Sequence, residues 1–295
     1  MKYAFYPGCA VHSSSKEYED SCLAISKVLN IELAEIADWN CCGAIDAIHS
    51  YKPLSSIALD ARNLSLAEKM EMDVVTLCSA CHYTLSRTNK LLREDAKLKT
   101  RVEETLAKAQ LNYSGNVKVR HFLEVILSDV GLEEIRKKVK IPLSKVNVAS
   151  YYGCFLLRPP DLTNFDDPEH PTRMEQLVEA LGASNVDYYG RKRCCGAHFG
   201  VTKEDLMLDL TRTILLNAKN AGANCIITAC PLCHFNLDAK QKDVESKFKL
   251  DIGLPVLHFT QLIGLAFGIE PEELGLHRNC VSPEEILPKY LKTVV

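Results

Sequence analysis

Cysteines recur in this chain in two copies of one five-cysteine pattern, and no other feature limits the fold so strongly. In the first copy, YPGC ends at Cys9, NCCGA contains Cys41 and Cys42, and CSACH contains Cys78 and Cys81. The second copy has the same order in the motifs YYGC, RCCGA and CPLCH. Its cysteines are Cys154, Cys194, Cys195, Cys230 and Cys233. Two complete copies in one order predict a duplicated fold with a cysteine-bound centre in each half.

The thirteen cysteines of the chain indicate metal or redox chemistry rather than disulfides. The N-terminal sequence MKYAFYPGC reaches a cysteine motif before a signal-peptide apolar region develops, and no apolar run approaches the ~20 residues that cross a bilayer. We therefore expect a cytoplasmic protein without a transmembrane segment, where persistent disulfides are rare. The formal charge of −3 and the lack of a long basic stripe give no reason to expect a nucleic-acid partner.

Short apolar segments alternate with stretches of helical periodicity. YAFYP, VVTLC, VNVASYY and IITAC have the length and composition of buried strands, and weaker strands precede the double cysteines at ELAEIADW and NVDYY. This alternation predicts an α/β fold of two pseudo-symmetric domains, each a small, mainly parallel sheet flanked by helices. The charged, proline-containing segment KKVKIPLSK separates a first domain of residues 1–142 from a second of residues 143–295.

Each cysteine group follows the carboxyl end of a predicted strand, where the loops of an open parallel sheet converge. Neighbouring residues of a strand point to opposite faces, so Cys41 and Cys42 can reach one centre only from a turn, which Gly43 and Gly196 would allow. A tetrahedral zinc site or a cubane cluster needs only four cysteines. The fifth is therefore a spare redox thiol or a further ligand of the cluster, and its presence in both copies favours the second interpretation.

Two other kinds of metal site fit part of the pattern. CSACH and CPLCH match the attachment motif of c-type haem, but that motif leaves six of the ten repeated cysteines unexplained and normally requires export. Two zinc sites would leave the fifth cysteine of each half unused. The other three cysteines are predicted to be ordinary residues: Cys22 in an amphipathic helix, Cys225 in a buried strand and Cys280 in the tail.

Histidines lie next to the cysteine motifs. His82 and His234 directly follow each CxxC, and His198 follows the second CCGA. Each either bonds to local backbone or acts as a hydrogen-bond or proton donor beside the centre. His121 and His258 lie in the similar segments KVRHFLEVI and PVLHFTQLI and are predicted to stand at helix starts.

A cationic run formed by Arg191, Lys192 and Arg193 directly precedes the second double cysteine. The run is either a solvated turn or an anchor for an anionic group of a substrate.

The duplicated order of Cys, CCG and CxxC resembles the cysteine-rich CCG-domain family. From its opening YAFYPGC to about residue 265, the chain resembles the B subunits of the heterodisulfide reductases of methanogenic archaea. The resemblance implies one noncubane [4Fe-4S] cluster per half and, between the two clusters, a pocket for the mixed disulfide of coenzyme M and coenzyme B. It assigns Cys9, Cys41, Cys42, Cys78 and Cys81 to the first cluster and Cys154, Cys194, Cys195, Cys230 and Cys233 to the second.

The same resemblance implies a function and partners. The chain would be the catalytic subunit of a disulfide-cleaving oxidoreductase of methanogenesis, with each sulfur of the substrate binding an iron of one cluster. It contains neither a two-cluster ferredoxin cysteine run nor a GxGxxG motif after a strand, so a ferredoxin-like iron–sulfur subunit and a flavin subunit would supply the electrons. The alternative is a CCG-type electron-relay subunit of a flavin-dependent 2-hydroxyacid oxidase or of a succinate dehydrogenase-like complex.

Overall fold

The computed structural model describes residues 1–44 and 51–283, which form two parallel four-stranded sheets. The first sheet has the spatial order β2-β1-β3-β4, and its strands are β1 (Lys2–Tyr6), β2 (Glu32–Glu35), β3 (Val74–Thr76) and β4 (Val119–His121). The second has the order β6-β5-β7-β8, and its strands are β5 (Asn147–Tyr151), β6 (Ser184–Asn185), β7 (Cys225–Thr228) and β8 (Val256–His258). The identical order confirms the predicted α/β fold with two similar halves.

Helices connect and cover the strands of both sheets. In the first half they are α1 (Cys9–His12), α2 (Lys16–Val28), α3 (Pro53–Glu68), α4 (Ser79–Glu94), α5 (Ala96–Ala107), α6 (Phe122–Val125) and α7 (Leu132–Lys138), with a π-helical turn over Ile126–Val130. In the second half they are α8 (Pro160–Thr163), α9 (Arg173–Ala180), α10 (Glu204–Asn220), α11 (Pro231–Leu237), α12 (Gln241–Phe248) and α13 (Phe259–Ala266). Single 3₁₀ turns cover Ala197–Phe199 and Leu276–Arg278. Among the helices that the structure describes, none combines the length and the hydrophobicity needed to span a bilayer.

The strand predictions differ from the structure mainly at the edges of the sheets. β6 ends at Asn185, although a strand was expected through NVDYY to residue 189. After Val186, which still donates its N–H to the Val148 carbonyl (2.9 Å), the chain leaves the edge, and Tyr188 turns inward to donate to the Ser150 carbonyl (3.3 Å). β4 and β8, the fourth strands, end at His121 and His258, which begin α6 and α13. The prediction that these two histidines stand at helix starts is therefore confirmed.

Two hydrophobic clusters fill the interior, and each draws residues from both halves. One cluster contains Phe5 and Phe122 together with Val148 and Phe259, all of which are buried. Helix α2 packs against α13, and the hydroxyl groups of Ser21 and Thr260 are 2.7 Å apart at this contact. Burial of a large apolar side chain contributes about 1.5–3 kcal/mol, so the shared clusters hold the halves together as one body. The boundary at residue 142 lies between α7 and β5 and stays a prediction.

Candidate metal centres

The five cysteines of the first repeat converge beyond the carboxyl ends of β1, β2 and β3. Cys9 begins α1, Cys41 and Cys42 lie in the loop after β2, and Cys78 and Cys81 lie at the start of α4. The Cys41 and Cys9 Sγ atoms are 3.5 Å apart, and the Cys42 and Cys81 Sγ atoms are 3.3 Å apart. A cavity of about 190 Å³ adjoins all five. The register explains this convergence, because parallel strands end at one edge of the sheet.

The second repeat reproduces the arrangement. Cys194 contacts Cys154 and Cys195, and Cys233 contacts Cys195 and Cys230. In both repeats the CxxC cysteines and the second cysteine of the pair are buried, whereas Cys9, Cys41 and Cys194 are exposed. Each centre therefore has a closed side towards the protein interior and an open side towards solvent.

Two pairs of glycines give the motifs their shape. Gly43 and Gly196 follow the double cysteines with φ of 66° and 83°, which produces the turn that was expected there. Gly8 and Gly153 precede the first cysteine of each repeat. A Cβ at Gly8 would lie 3.0 Å from the Cys81 Sγ, and one at Gly153 would lie 3.2 Å from the Cys233 Sγ, so side chains there would crowd the CxxC sulfurs.

A tyrosine anchors each double-cysteine loop, a contact that the sequence patterns did not predict. The Tyr6 hydroxyl donates to the Asn40 carbonyl at 2.8 Å, and the Tyr151 hydroxyl donates to the Arg193 carbonyl at 2.7 Å. Both carbonyls directly precede a double cysteine. The sequence carried the signal, because a tyrosine stands three residues before the first cysteine of both repeats.

Proximity makes one cysteine of each half a strong candidate thiolate. Hydrogen bonds from Cys42 and Cys9 lower the pKa of Cys41 to about 2, and those from Cys154 and Cys195 lower the pKa of Cys194 to about 2. The Cys41 thiolate in turn raises the pKa of Cys42 to about 12. Thiolates are the form of cysteine that binds metals. Five converging sulfurs with room beside them therefore fit an iron–sulfur cluster, a group held by cysteine thiolates.

The two groups of cysteines approach each other where the halves are in contact. The Cys78 and Cys230 side chains lie within hydrogen-bonding reach of each other, one from each CxxC. The pKa of Cys230 is lowered by its contacts with Cys233 and Cys78. The double-cysteine loops also touch, since the His198 Nε2 lies 2.9 Å from the Ala44 carbonyl oxygen. Groups bound in the two halves would be neighbours.

The histidines after the CxxC motifs are both buried. Burial lowers the pKa of His82 to about 3, so this ring is neutral. Its Nδ1 finds no hydrogen-bonding partner among the described residues. The His234 Nε2 lies 2.9 Å from the Val256 carbonyl oxygen, which fits the backbone-bonding interpretation. A role of His82, His198 or His234 beside a cluster stays a prediction.

The three cations that precede Cys194 differ in their contacts. Arg191 and Lys192 are paired with carboxylates, whereas Arg193 makes no ion pair within the described part of the chain and lies over the Tyr189 ring, 5.4 Å from its centroid. The paired carboxylates are Glu175 and Asp187 for Arg191, and Glu169 for Lys192. Only Arg193 thus has a cation left to offer an anionic substrate.

The sequence patterns did not predict one buried contact between the halves. Glu17 of α2 places its Oε1 3.3 Å from the His258 Nε2 and 3.7 Å from the His234 Nδ1. The two imidazole rings are stacked, with centroids 4.1 Å apart and planes 21° apart. Nearly parallel planes do not direct both nitrogen lone pairs at one ion, so this cluster forms a hydrogen-bonded link rather than a metal site.

The three remaining cysteines lie where they were expected. Cys22 is buried in α2, Cys225 is buried in β7, and Cys280 is exposed beyond the last 3₁₀ turn.

Comparisons with known proteins agree with this geometry. Residues 3–86 and 148–238 each match the model of the cysteine-rich domain family CCG. The 8-methylmenaquinol:fumarate reductase membrane anchor subunit of Wolinella succinogenes is 40% identical over 285 residues, which cover 97% of this chain and 99% of the relative. The B subunit of the ferredoxin/F420H2-dependent CoB-CoM heterodisulfide reductase from Methanosarcina acetivorans is 34% identical over 290 residues, which cover 98% of this chain and 96% of the relative.

A structural neighbour supports the fold alone. A hypothetical protein from Helicobacter pylori superposes with a TM-score of 0.76 at 14% sequence identity. The match covers 95% of this chain but only 52% of that protein, so the chain corresponds to about half of its neighbour.

Proposed function

Because this chain belongs to the cysteine-rich CCG domain family and is similar over nearly its whole length to heterodisulfide reductase B subunits, we propose that it is the disulfide-reducing subunit of a multi-subunit oxidoreductase. Each half holds one [4Fe-4S] cluster of the noncubane type. The first is ligated by the five cysteines from Cys9 to Cys81, and the second by the five from Cys154 to Cys233. The substrate is the mixed disulfide of coenzyme M and coenzyme B, which is reduced to the two thiols.

The observation that carries this proposal is the contact between two complete ligand sets. A relay needs only a chain of centres, but here the CxxC motifs of both halves meet at Cys78 and Cys230. The exposed cysteines Cys41 and Cys194 lie on the neighbouring loops, which are joined through His198 and Ala44. One small molecule that enters from the open side can thus reach both halves.

The reaction consumes two electrons and two protons: the S–S bond breaks, and each sulfur leaves as a thiol. Bound clusters would supply the electrons one at a time. The chain itself supplies the anchored loops that hold the sulfur ligands, through Tyr6 and Tyr151. Arg193 is available to hold an anionic end of the substrate. In this proposal, electrons arrive from a ferredoxin-like iron–sulfur subunit and a flavin subunit of the same complex.

A second function is favoured by a specific comparison. The Wolinella relative, at 40% identity, is named as a subunit of a fumarate reductase, and that name fits the electron-relay alternative. In that case the two centres pass electrons to or from a succinate dehydrogenase-like partner and bind no disulfide. The contact between Cys78 and Cys230 would then serve transfer between the centres.

Electron paramagnetic resonance of the purified complex separates the two functions. Iron and acid-labile sulfide are first measured anaerobically, and about eight of each per chain are expected for two four-iron clusters. The mixed disulfide, or one of its thiols labelled with a magnetic sulfur isotope, is then added to the oxidised complex. A changed signal with isotope broadening supports the reductase. An unchanged signal at saturating substrate, together with electron transfer to fumarate, would assign the chain to the relay function.

A further inference from the structure

His121 lies at the junction between the two centres. Its Nε2 is 3.1 Å from the Leu77 carbonyl oxygen and 2.9 Å from the Ala229 carbonyl oxygen. Leu77 directly precedes Cys78, and Ala229 directly precedes Cys230. One imidazole nitrogen therefore contacts the backbone just before both of the cysteines at which the halves meet.

The hydrogen bonds of the ring determine its tautomer. The Leu123 backbone N–H donates to the His121 Nδ1 at 3.1 Å, so Nδ1 is an acceptor. The proton of the neutral ring is then on Nε2, which donates to both carbonyls as a three-centre hydrogen bond. The side chain is fully buried, and this burial lowers the His121 pKa to about 4, which keeps the ring neutral.

A second donor strengthens the same link. The Ser79 hydroxyl, in the first turn of α4, donates to the Ala229 carbonyl at 3.1 Å. Both donors belong to the first half, and the carbonyl belongs to the second. The position that corresponds to Ser79 in the second CxxC is Pro231, which has no donor. The histidine that corresponds to His121 is His258, whose Nε2 faces Glu17 instead of a carbonyl.

We propose that His121 is a positioning residue that sets the spacing between Cys78 and Cys230, and through it the separation of the two clusters. This inference rests on the proposed presence of one cluster in each half, and it holds for the reductase and for the relay alike. The carbonyls that His121 joins are one bond away from the nitrogens of the two cysteines, so a loss of the joint donor frees both strand ends to move apart. Misplacement by about 1 Å can lower a rate about 100-fold.

The test compares His121→Phe with His121→Gln in the purified complex. Phenylalanine fills similar space without a donor, whereas glutamine keeps an N–H that can reach the carbonyls. The measurement is the spin–spin interaction between the two clusters in the paramagnetic state, recorded without substrate, because this interaction falls steeply with distance. Tyr113→Phe is the matched control, since it removes a buried hydrogen bond to Asn89 that lies away from the sulfur ligands.

We expect His121→Phe to keep its iron, to weaken the interaction and to lower kcat by about 10- to 100-fold with little change in KM. His121→Gln should restore most of the spin–spin interaction and most of kcat, and Tyr113→Phe should change neither quantity. An unchanged interaction in an iron-replete His121→Phe complex overturns the inference. If His121→Phe loses iron, His121→Leu decides, because it removes the same donor with a smaller side chain: a weakened interaction in an iron-replete complex supports the link, and an unchanged one overturns it. Wild-type complex without two clusters would instead overturn the proposed function.

Discussion

The two halves hold their cysteines alike and their histidines differently. In the first half, His121 donates to carbonyls on both sides of the junction, and His82 lies edge-on to it, with ring planes 89° apart. In the second half, His258 is stacked with His234, and Glu17 of the other half lies against both.

The difference shows which features the duplication preserves. The cysteine loops need the same shape twice, because each must bring five sulfurs to one point. The histidines lie where the halves touch, and a contact between two unlike partners has no reason to be symmetric. Helix α2 carries Glu17 into the second half. Its counterpart before β6, α9, packs against α7 of the first half, and the short α8 that precedes α9 contacts α4 through the exposed Lys90–Asp161 pair (2.5 Å). We infer that the two halves arrange their five cysteines equivalently but contact each other through different residues.

Matched cysteine variants test whether the two halves use their cysteines in the same way. Cys42→Ser and Cys195→Ser each remove the buried second cysteine of a pair, so each should abolish the cluster of its own half and lower the iron content from about eight to about four atoms per chain. Cys22→Ser, a buried cysteine outside the motifs, should leave iron unchanged. The measurement is iron and acid-labile sulfide in anaerobically purified protein. Full iron content and unchanged spectra in both motif variants would refute the five-ligand interpretation, and loss in only one would show that the halves hold different groups.

Variants of Glu17 test the buried contact that this residue makes with His258 of the second half. Glu17→Ala leaves the His258 Nε2–H without its buried acceptor, and a buried unsatisfied donor costs about 1–3 kcal/mol of unfolding free energy. For a chain of this size we expect the unfolding temperature to fall by about 2–4 °C per kcal/mol. Glu17→Gln retains an oxygen acceptor, so its unfolding temperature should fall much less.

Asp20→Ala is the control for that measurement, because Asp20 lies on the same helix but pairs with Arg278 where both side chains are partly exposed to solvent. Pairs of this kind contribute about 0–1 kcal/mol. Equal losses of stability from Glu17→Ala and Asp20→Ala would show that the buried contact of Glu17 with His258 contributes no more than an exposed ion pair.

Sequence patterns were sufficient to predict that the repeated cysteines converge, because the information there is local and repeated. The strands before Cys9, Cys78, Cys154 and Cys230 could be predicted from apolar runs, and parallel strands then bring their ends together without further knowledge. The contacts of the histidines could not be predicted in this way. His258 and Glu17 are 241 residues apart along the chain, and His121 and Ala229 are 108 residues apart. Which acid or carbonyl meets a given ring depends on how the two halves pack, and no periodicity within one half encodes that packing.

The smallest expected effect concerns the loops before the double cysteines, which differ in charge. The second loop reads RKRCCGA and the first reads DWNCCGA, so of these two motifs the second contains three cations and the first contains none. If Arg193 holds an anionic end of the substrate, Arg193→Gln should raise KM by up to about fivefold, equivalent to about 1 kcal/mol for an exposed ionic contact, and should leave kcat nearly unchanged. Neutralising Arg191 and Lys192 as well should add little, because carboxylates already pair with both.

Steady-state kinetics of the complex at two salt concentrations check this prediction. The difference in KM between wild type and Arg193→Gln should shrink at high salt, because exposed charges are screened there. Lys203→Gln, another exposed cation beyond the same double cysteine, is the control and should not change KM. An unchanged KM in the variant that neutralises all three cations would identify the run as a solvated turn. The asymmetry between the halves would then be confined to their buried histidines and would not extend to the open side.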